Sequence, residues 1–178
     1  AVAVGHELEM PFPAICRRLK EMTGVQRRFQ IKGEVSGVTI IDDYGHHPNE
    51  IKAVLKTIAE SFPAHRRYVL FQPHRFTRTQ ALFDDFTTAF YQSDVLIVTD
   101  IYAASEPPIP GVHAEKLATA IQEHGHGNIR YIPKQMDLIP LVMEEVQEKD
   151  VVLTLGAGNI WQTGDELLKR LQEREGSK

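Results

Sequence analysis

The sequence predicts a doubly wound α/β domain on a mostly parallel, Rossmann-like sheet, preceded by a short helical segment and a β-hairpin. Three observations carry this expectation. Short continuous apolar runs recur at Tyr68–Phe71, Val95–Val98, Ile129–Ile132 and Val151–Leu155, as strands covered on both faces require. Between them, apolar residues return at helical spacing. Strand and helix follow one another in turn, the order of βαβ units and a parallel sheet.

The first residues read as a chain that starts partway through a helix. They lack the basic region, apolar stretch and cleavage site of a signal peptide. Pro13 to Met22 predicts a second helix with Ile15, Leu19 and Met22 turned inward and Gly24 as its stop. Gly24-Val25 is then a hinge, dividing a leading segment, 1–24, from the domain proper, 25–178. Arg28–Gly33 and Val38–Asp42 flank the polar Glu34–Gly37 and predict a hairpin, whose second strand enters the sheet and ends at Asp42-Asp43.

Pro48 suits a first helical turn, where its missing N–H costs nothing. Ile51, Val54, Leu55 and Ile58 follow at helical spacing, so His46 and His47 fall just before a helix N-terminus. Further helices are expected from Leu82, Phe83, Phe86 and Phe90, from Leu117, Ala118 and Ile121, and from Ile160, Leu167, Leu168 and Leu171. Trp161 and the aromatic stripe Phe83, Phe86 and Phe90 read as core. His6, His65, His113, His124 and His126 read as surface or capping residues, and Glu173 to Lys178 as a frayed end.

Composition narrows the function. At 178 residues and 42% hydrophobic content, the chain can bury one full core with a short segment over. A net charge of −4 supplies no basic field for nucleic acid. Cys16, the single cysteine, cannot close an internal disulfide. No apolar run approaches the roughly 20 residues that span a bilayer. A cytoplasmic protein with no nucleic-acid or membrane partner is expected.

Ligands of open parallel sheets sit beyond the carboxyl ends of the strands, and the residues there are polar. His74, Arg75 and Arg78 place several charged donors within five positions, which reads as an anion site for carboxylate or phosphate, or as solvated charge at a helix start. Gly156, Ala157, Gly158 and Asn159 follow the last strand and open a helix; they suit either backbone contact with an anion or a purely structural turn. Asp42 and Asp43 suit ribose hydroxyls or the capping of a turn. Of His46 and His47, one is expected to hydrogen-bond a substrate and the other to pack locally; no regular metal spacing accompanies them, so no metal is assigned.

Five segments in order, Gly24-Val-Gln-Arg-Arg-Phe29, Ile41-Asp-Asp-Tyr-Gly-His-His-Pro48, Phe71-Gln-Pro-His-Arg-Phe-Thr-Arg-Thr79, Asp100-Ile-Tyr-Ala-Ala104 and Leu155-Gly-Ala-Gly-Asn-Ile160, resemble the C-terminal domain of the Mur ligases. The second and third resemble the L-alanine-adding branch. The resemblance implies an ATP-dependent amide ligation joining L-alanine to UDP-N-acetylmuramate on the route to peptidoglycan, with ATP and Mg²⁺ used by the complete enzyme. Carried over by position, Arg28 and Asp43 resemble nucleotide contacts, with Asp43 at the ribose. Tyr44 and His46 resemble residues beside the reaction centre. His74, Arg75 and Arg78 resemble the amino-acid site, and Tyr102, Glu106, Gly156, Gly158 and Asn159 are expected in the same cleft.

The chain lacks a G-x-x-x-x-G-K-[ST] phosphate loop. The resemblance assigns that loop and the UDP-binding part to the amino-terminal and central domains of the same enzyme, of which residues 1–24 would be the trailing helices. Alone, the chain is expected to be inactive and to bind ATP poorly. The rival readings are a ligase that reattaches recycled tripeptide and a self-standing nucleotide- or anion-binding module.

Overall fold

The computed structural model describes residues 1–21 and 25–177. Its centre is a six-stranded sheet of β1 (Gln30–Val35), β2 (Val38–Asp43), β3 (Arg66–Phe71), β4 (Val95–Val98), β5 (Ile129–Tyr131) and β6 (Asp150–Leu155). The spatial order is β1-β2-β6-β3-β4-β5. All neighbours pair in parallel except the edge strand β1, which is antiparallel to β2.

Alternation along each strand sends side chains to two cores. On one face Ile41, Val69, Phe71, Leu96, Val98 and Leu153 meet α3 (Pro48–Ser61), α5 (Phe83–Thr87) and α6 (Ala114–Glu123), while α4 (Phe76–Ala81) contributes no member to this core. On the other Ile40, Tyr68, Leu70, Ile97 and Val152 meet α7 (Gln135–Glu145) and α8 (Trp161–Gly176). The expected doubly wound sheet is therefore present. Its first three crossovers step along one face, and α7 brings the chain back across the other, inserting β6 between β2 and β3.

The hairpin turn is tighter than Glu34–Gly37. Glu34 and Val35 pair with Thr39 and Val38, leaving Ser36 (φ 50°) and Gly37 (φ 74°) as a two-residue turn. Two positive φ values match the right-handed twist of the strands, so the shorter connection closes without splaying them.

The helix expected across Leu82–Phe90 is shorter, spanning only α5 (Phe83–Thr87), and Leu82 separates it from α4. The separation gives α5 its own direction, so that Phe86 and, just past its end, Phe90 set their rings 5.7 and 4.9 Å from Phe71. Leu82 and Phe83 are only partly buried. The sequence reading did not include α7, which carries Pro140 in its interior, where the missing N–H normally argues against a helix. Burial of Leu138 and Val142 against the sheet outweighs that penalty.

Ahead of the sheet lie α1 (Val2–Glu7) and α2 (Phe12–Glu21). Gly5 and Ile15 form their contact, so close that a Cβ on Gly5 would stand 2.8 Å from Ile15 Cδ1. Leu19 is exposed rather than inward, because one glycine-sized groove on α1 covers only the Ile15 side of α2. The expected roles of Met22 and Gly24 lie outside the described residues.

Three smaller expectations change. Trp161 is half-buried at the start of α8 and joins neither core. His126 is buried, with its ring nitrogen Nε2 2.9 Å from Ser93 Oγ. The last residues continue α8 as far as Gly176 instead of fraying at Glu173. Among the described residues no helix is long and apolar enough to cross a membrane.

Phe90 is fully buried against Phe71. Phe90→Ala is expected to lower the unfolding free energy by about 3–5 kcal/mol, read as a lower denaturant midpoint with an unchanged slope.

Candidate active site at the carboxyl ends of the strands

The strand order places three loop starts side by side: after β2, after β6 and after β3. Tyr44, His46, His74, Arg75, Thr77, Arg78, Ala81 and Ala157 line a cavity of about 510 Å³ there. This is the crevice where open parallel sheets bind ligands. A larger groove of about 830 Å³ runs between α7 and α8, but its charged members, Glu166 and Arg170, pair with each other at 2.7 Å. It offers apolar surface rather than free cations.

Aromatic and imidazole rings run across the crevice. Tyr44 meets His46 edge-on at 5.3 Å, His46 lies 5.9 Å from His74, and His74 stacks on Tyr102 at 5.5 Å. The Tyr102 backbone is tied to the same place, donating to the Pro73 carbonyl and accepting from the Arg75 N–H, both at 2.8 Å.

Donor logic fixes the two histidines. Arg78 donates from one guanidinium nitrogen to His74 Nδ1 at 3.0 Å and to the His74 carbonyl at 3.2 Å. A guanidinium only donates, so His74 Nδ1 is the acceptor and the ring proton sits on Nε2. His46 Nδ1 lies 3.0 Å from the Tyr44 carbonyl, which only accepts. In its neutral form the ring then carries its proton on Nδ1 and leaves Nε2 as a lone pair. The crevice therefore holds two imidazoles of opposite polarity. Burial, then the charges of Arg78, His46 and Arg75, push the His74 pKa down to about 4.

Arg75 takes φ 73° at the start of α4. Its guanidinium reaches Glu106 at 3.4 Å and is about half exposed. Glu106 serves chiefly as an external cap of α4, accepting from the Thr77 N–H at 3.1 Å and the Thr77 hydroxyl at 2.7 Å. Those bonds hold its carboxyl below the usual range. Arg75 and Arg78 thus present two cations to one cavity wall.

The remaining candidates sit behind this wall. Asp43 is nearly buried, and its carboxylate accepts from the Phe29 and Gly45 N–H groups, each at 2.7 Å. Arg28 is exposed, 5.9 Å from the Tyr44 ring. Gly156 has φ 145°, and a Cβ there would lie 2.6 Å from the Gln72 carbonyl oxygen; at Gly158 it would lie 2.7 Å from the Tyr102 ring. Both glycines let the protein approach itself. The Asn159 side-chain oxygen accepts from Gln72 at 3.0 Å and Gln135 at 2.8 Å, and the residue does not line the cavity. His47 caps α3 in a capping box with Glu50.

Tyr44, His46, His74, Arg75 and Arg78 are thus brought together as cavity lining, with Tyr102 and Glu106 directly supporting them. The sequence reading did not single out Thr77, Arg27 or the structural role of Gln72. Thr77 stood inside the quoted Pro73–Thr79 segment, and Arg27 beside Arg28, but spacing alone does not say which of two adjacent arginines turns inward. Among the described residues no group of three or more His, Cys, Asp or Glu side chains is placed to hold a metal.

Below the ordinary histidine value of 6.5, an unfolded chain takes up a proton that folded His74 refuses until about pH 4. Stability from this group is therefore complete above pH 6.5 and is lost as pH falls through that window. Nuclear magnetic resonance titration of the imidazoles should show His74 protonating near pH 4, and Arg78→Gln, which removes a facing cation, should move that titration upward.

A model of the family described as Mur ligase, glutamate ligase domain, matches residues 27–158. The chain is 54% identical, over 99% of its length, to the UDP-N-acetylmuramate–L-alanine ligase of Syntrophobacter fumaroxidans, and spans 38% of that enzyme. Among solved structures, UDP-N-acetylmuramate-alanine ligase from Thermotoga maritima matches 97% of the chain at 27% identity and TM-score 0.80, the chain covering 36% of that protein. A murein peptide ligase from Psychrobacter arcticus matches 96% of the chain at TM-score 0.69; at 17% identity this likeness shows the fold alone, over 35% of that protein. With the family model, the long relative and the fold in agreement, the chain belongs to the Mur ligase family.

Proposed function

We propose that this chain is the C-terminal domain of an ATP-dependent ligase that joins L-alanine to UDP-N-acetylmuramate. Residues 1–24 would be the trailing helices of a central domain, and 25–178 the domain proper. The observation that carries the reading is the paired cations Arg75 and Arg78 with the Nε2–H of His74 on one cavity wall, in a chain 54% identical to an enzyme of that name. A carboxylate is the anion such a wall suits, because planar guanidinium donors match its two oxygens.

In this reaction the lactyl carboxylate of UDP-N-acetylmuramate takes the terminal phosphoryl group of ATP, giving an acyl phosphate and ADP. The alanine amine then attacks the acyl carbon, the C–O bond to phosphate breaks, and the amide and inorganic phosphate leave. The amine attacks only without its extra proton. His46 would take it: with its Nδ1 engaged by the Tyr44 carbonyl, the neutral ring offers the Nε2 lone pair as acceptor. His74 Nε2–H and the two arginines would hold the carboxylate of the incoming L-alanine, their positions set before substrate arrives, so that its amine is presented to the acyl carbon. Tyr44 would flank the nucleotide, with Arg28 and Asp43 on its ribose side. Mg²⁺ and the phosphate loop would be supplied by the remaining domains of that enzyme, as the resemblance implies.

The rival within the family is a ligase for recycled tripeptide. Assay of the full-length enzyme with L-alanine and with L-Ala-γ-D-Glu-diaminopimelate separates them, and preference for the tripeptide would defeat the assignment. Within that enzyme, Arg75→Ala or Arg78→Ala is expected to raise KM for L-alanine about 10- to 100-fold, the loss of a charged hydrogen bond, and to leave KM for ATP nearly unchanged. Calorimetry of the 178-residue chain alone should show weak ATP binding; tight binding would instead favour a self-standing nucleotide module.

A further inference from the structure

Arg27 does not line the cavity, yet its contacts reach the end of β2 and the loop after it, and the glycine loop after β6. Its Nε donates to Asp42 at 3.1 Å, and its two terminal nitrogens donate to the carbonyls of Gly158 and Gly156 at 3.2 and 2.5 Å. The guanidinium carbon lies 4.9 Å from the Tyr44 ring centre. Its own carbonyl accepts from the Tyr44 N–H at 2.7 Å, and its N–H donates to the Gln30 side chain at 2.9 Å. The segment carrying it is strained: Arg27 has φ 59° and Phe29 φ 45°. Non-glycine residues hold such values only where surrounding contacts over-determine them. Here Asp43, fixing the Phe29 N–H, and Tyr44, fixing the Arg27 carbonyl, do so.

We propose that Arg27 is a positioning residue, a three-way clasp that holds the segment before β1, the end of β2 and the glycine loop after β6 in one rigid arrangement and thereby aims Tyr44 and His46 into the crevice. Three acceptors on two different elements must be met at once. A guanidinium does this with its planar fork, and the single ammonium of a lysine does not. Asp42, whose side chain is almost wholly buried, is the anchor of the clasp, steadied from its other oxygen by the Thr154 hydroxyl at 2.7 Å. The aim of His46 follows because its ring is bonded to the carbonyl of Tyr44, whose ring and backbone Arg27 both touch. Only the kinetic part of this inference rests on the ligase reading.

The test uses Arg27→Lys, with Arg27→Ala as the harsher variant. Hydrogen exchange on the 178-residue chain is expected to quicken in Arg27→Lys at residues 43–46 and 156–158, and to stay unchanged in β3 and β4. Unchanged exchange at those two loops, or an equal rise throughout the sheet, would overturn the clasp. In the full-length enzyme, Arg27→Lys is expected to lower kcat about a hundredfold, the scale of an ångström-sized misplacement, with KM for L-alanine held. Guanidinium ion added to Arg27→Ala is expected to restore part of the lost rate. A raised KM for L-alanine at normal kcat, or no rescue, would refute positioning. A wild-type enzyme inactive with L-alanine would instead defeat the ligase reading and leave the exchange result standing.

Discussion

β6 is paired on both edges, to β2 on one side and β3 on the other, from Val151 to Leu155. The domain depends on this insertion. Without it β2 and β3 would be separated sheets with open inner edges, and each unpaired N–H and C=O would face the core unsatisfied. With it, the loops after β2, β6 and β3 end at one level and share one crevice. The Gln72 and Gly156 N–H groups donate to Leu155 and Asp43, carrying the ladder one step beyond the strands. The close approach this creates is why alanine does not fit at 156 or 158: the space is already filled by Gln72 and Tyr102.

The electrostatics of the crevice follow from how its charges are distributed. Two arginines share a wall with an imidazole that stays neutral, because a third positive charge beside them would be repelled and poorly solvated. Neutrality lets His74 act as a directed donor, while Glu106 balances part of the charge from the rim without entering the cavity. The two cations are therefore positioned by the α4 start and the β4 to α6 loop together. Each is held by the other through Thr77 and the paired backbones of His74 and Tyr102.

Strain and burial have opposite distributions. Both hydrophobic cores lie against the sheet, built from β-branched, leucine and aromatic side chains. Of the eight non-glycine residues with positive φ among the described residues, Arg27, Phe29, Arg75, Ala104 and Ser105 lie on segments around the crevice, and Glu9, Ser36 and Lys149 lie on other turns. A rigid scaffold tolerates such backbone because its own stability does not depend on those segments.

Much of this was legible in the sequence for a physical reason: continuous apolar runs and helical spacing are local consequences of burial on two faces or one. The five parallel strands, α3, α6 and α8 follow from that pattern, and the polar residues just past each strand were bound to lie at one end. Pattern failed where local preference was overruled. Pro140 argues against α7, and nothing in the spacing of Leu82 to Phe90 marks the shorter bounds of α5. Adjacent arginines at 27 and 28, paired aspartates at 42 and 43, and glycines at 156 and 158 each admit an inward and an outward role, which only neighbours distant in sequence resolve. By itself the sequence determined the sheet, its two-sided core and the set of charged groups at its carboxyl end, since these rest on periodicity and composition. Tertiary structure alone decided that β6 lies between β2 and β3, that Arg27 faces inward, and that His74 accepts at Nδ1 from Arg78, because each depends on a partner several residues away or on another strand.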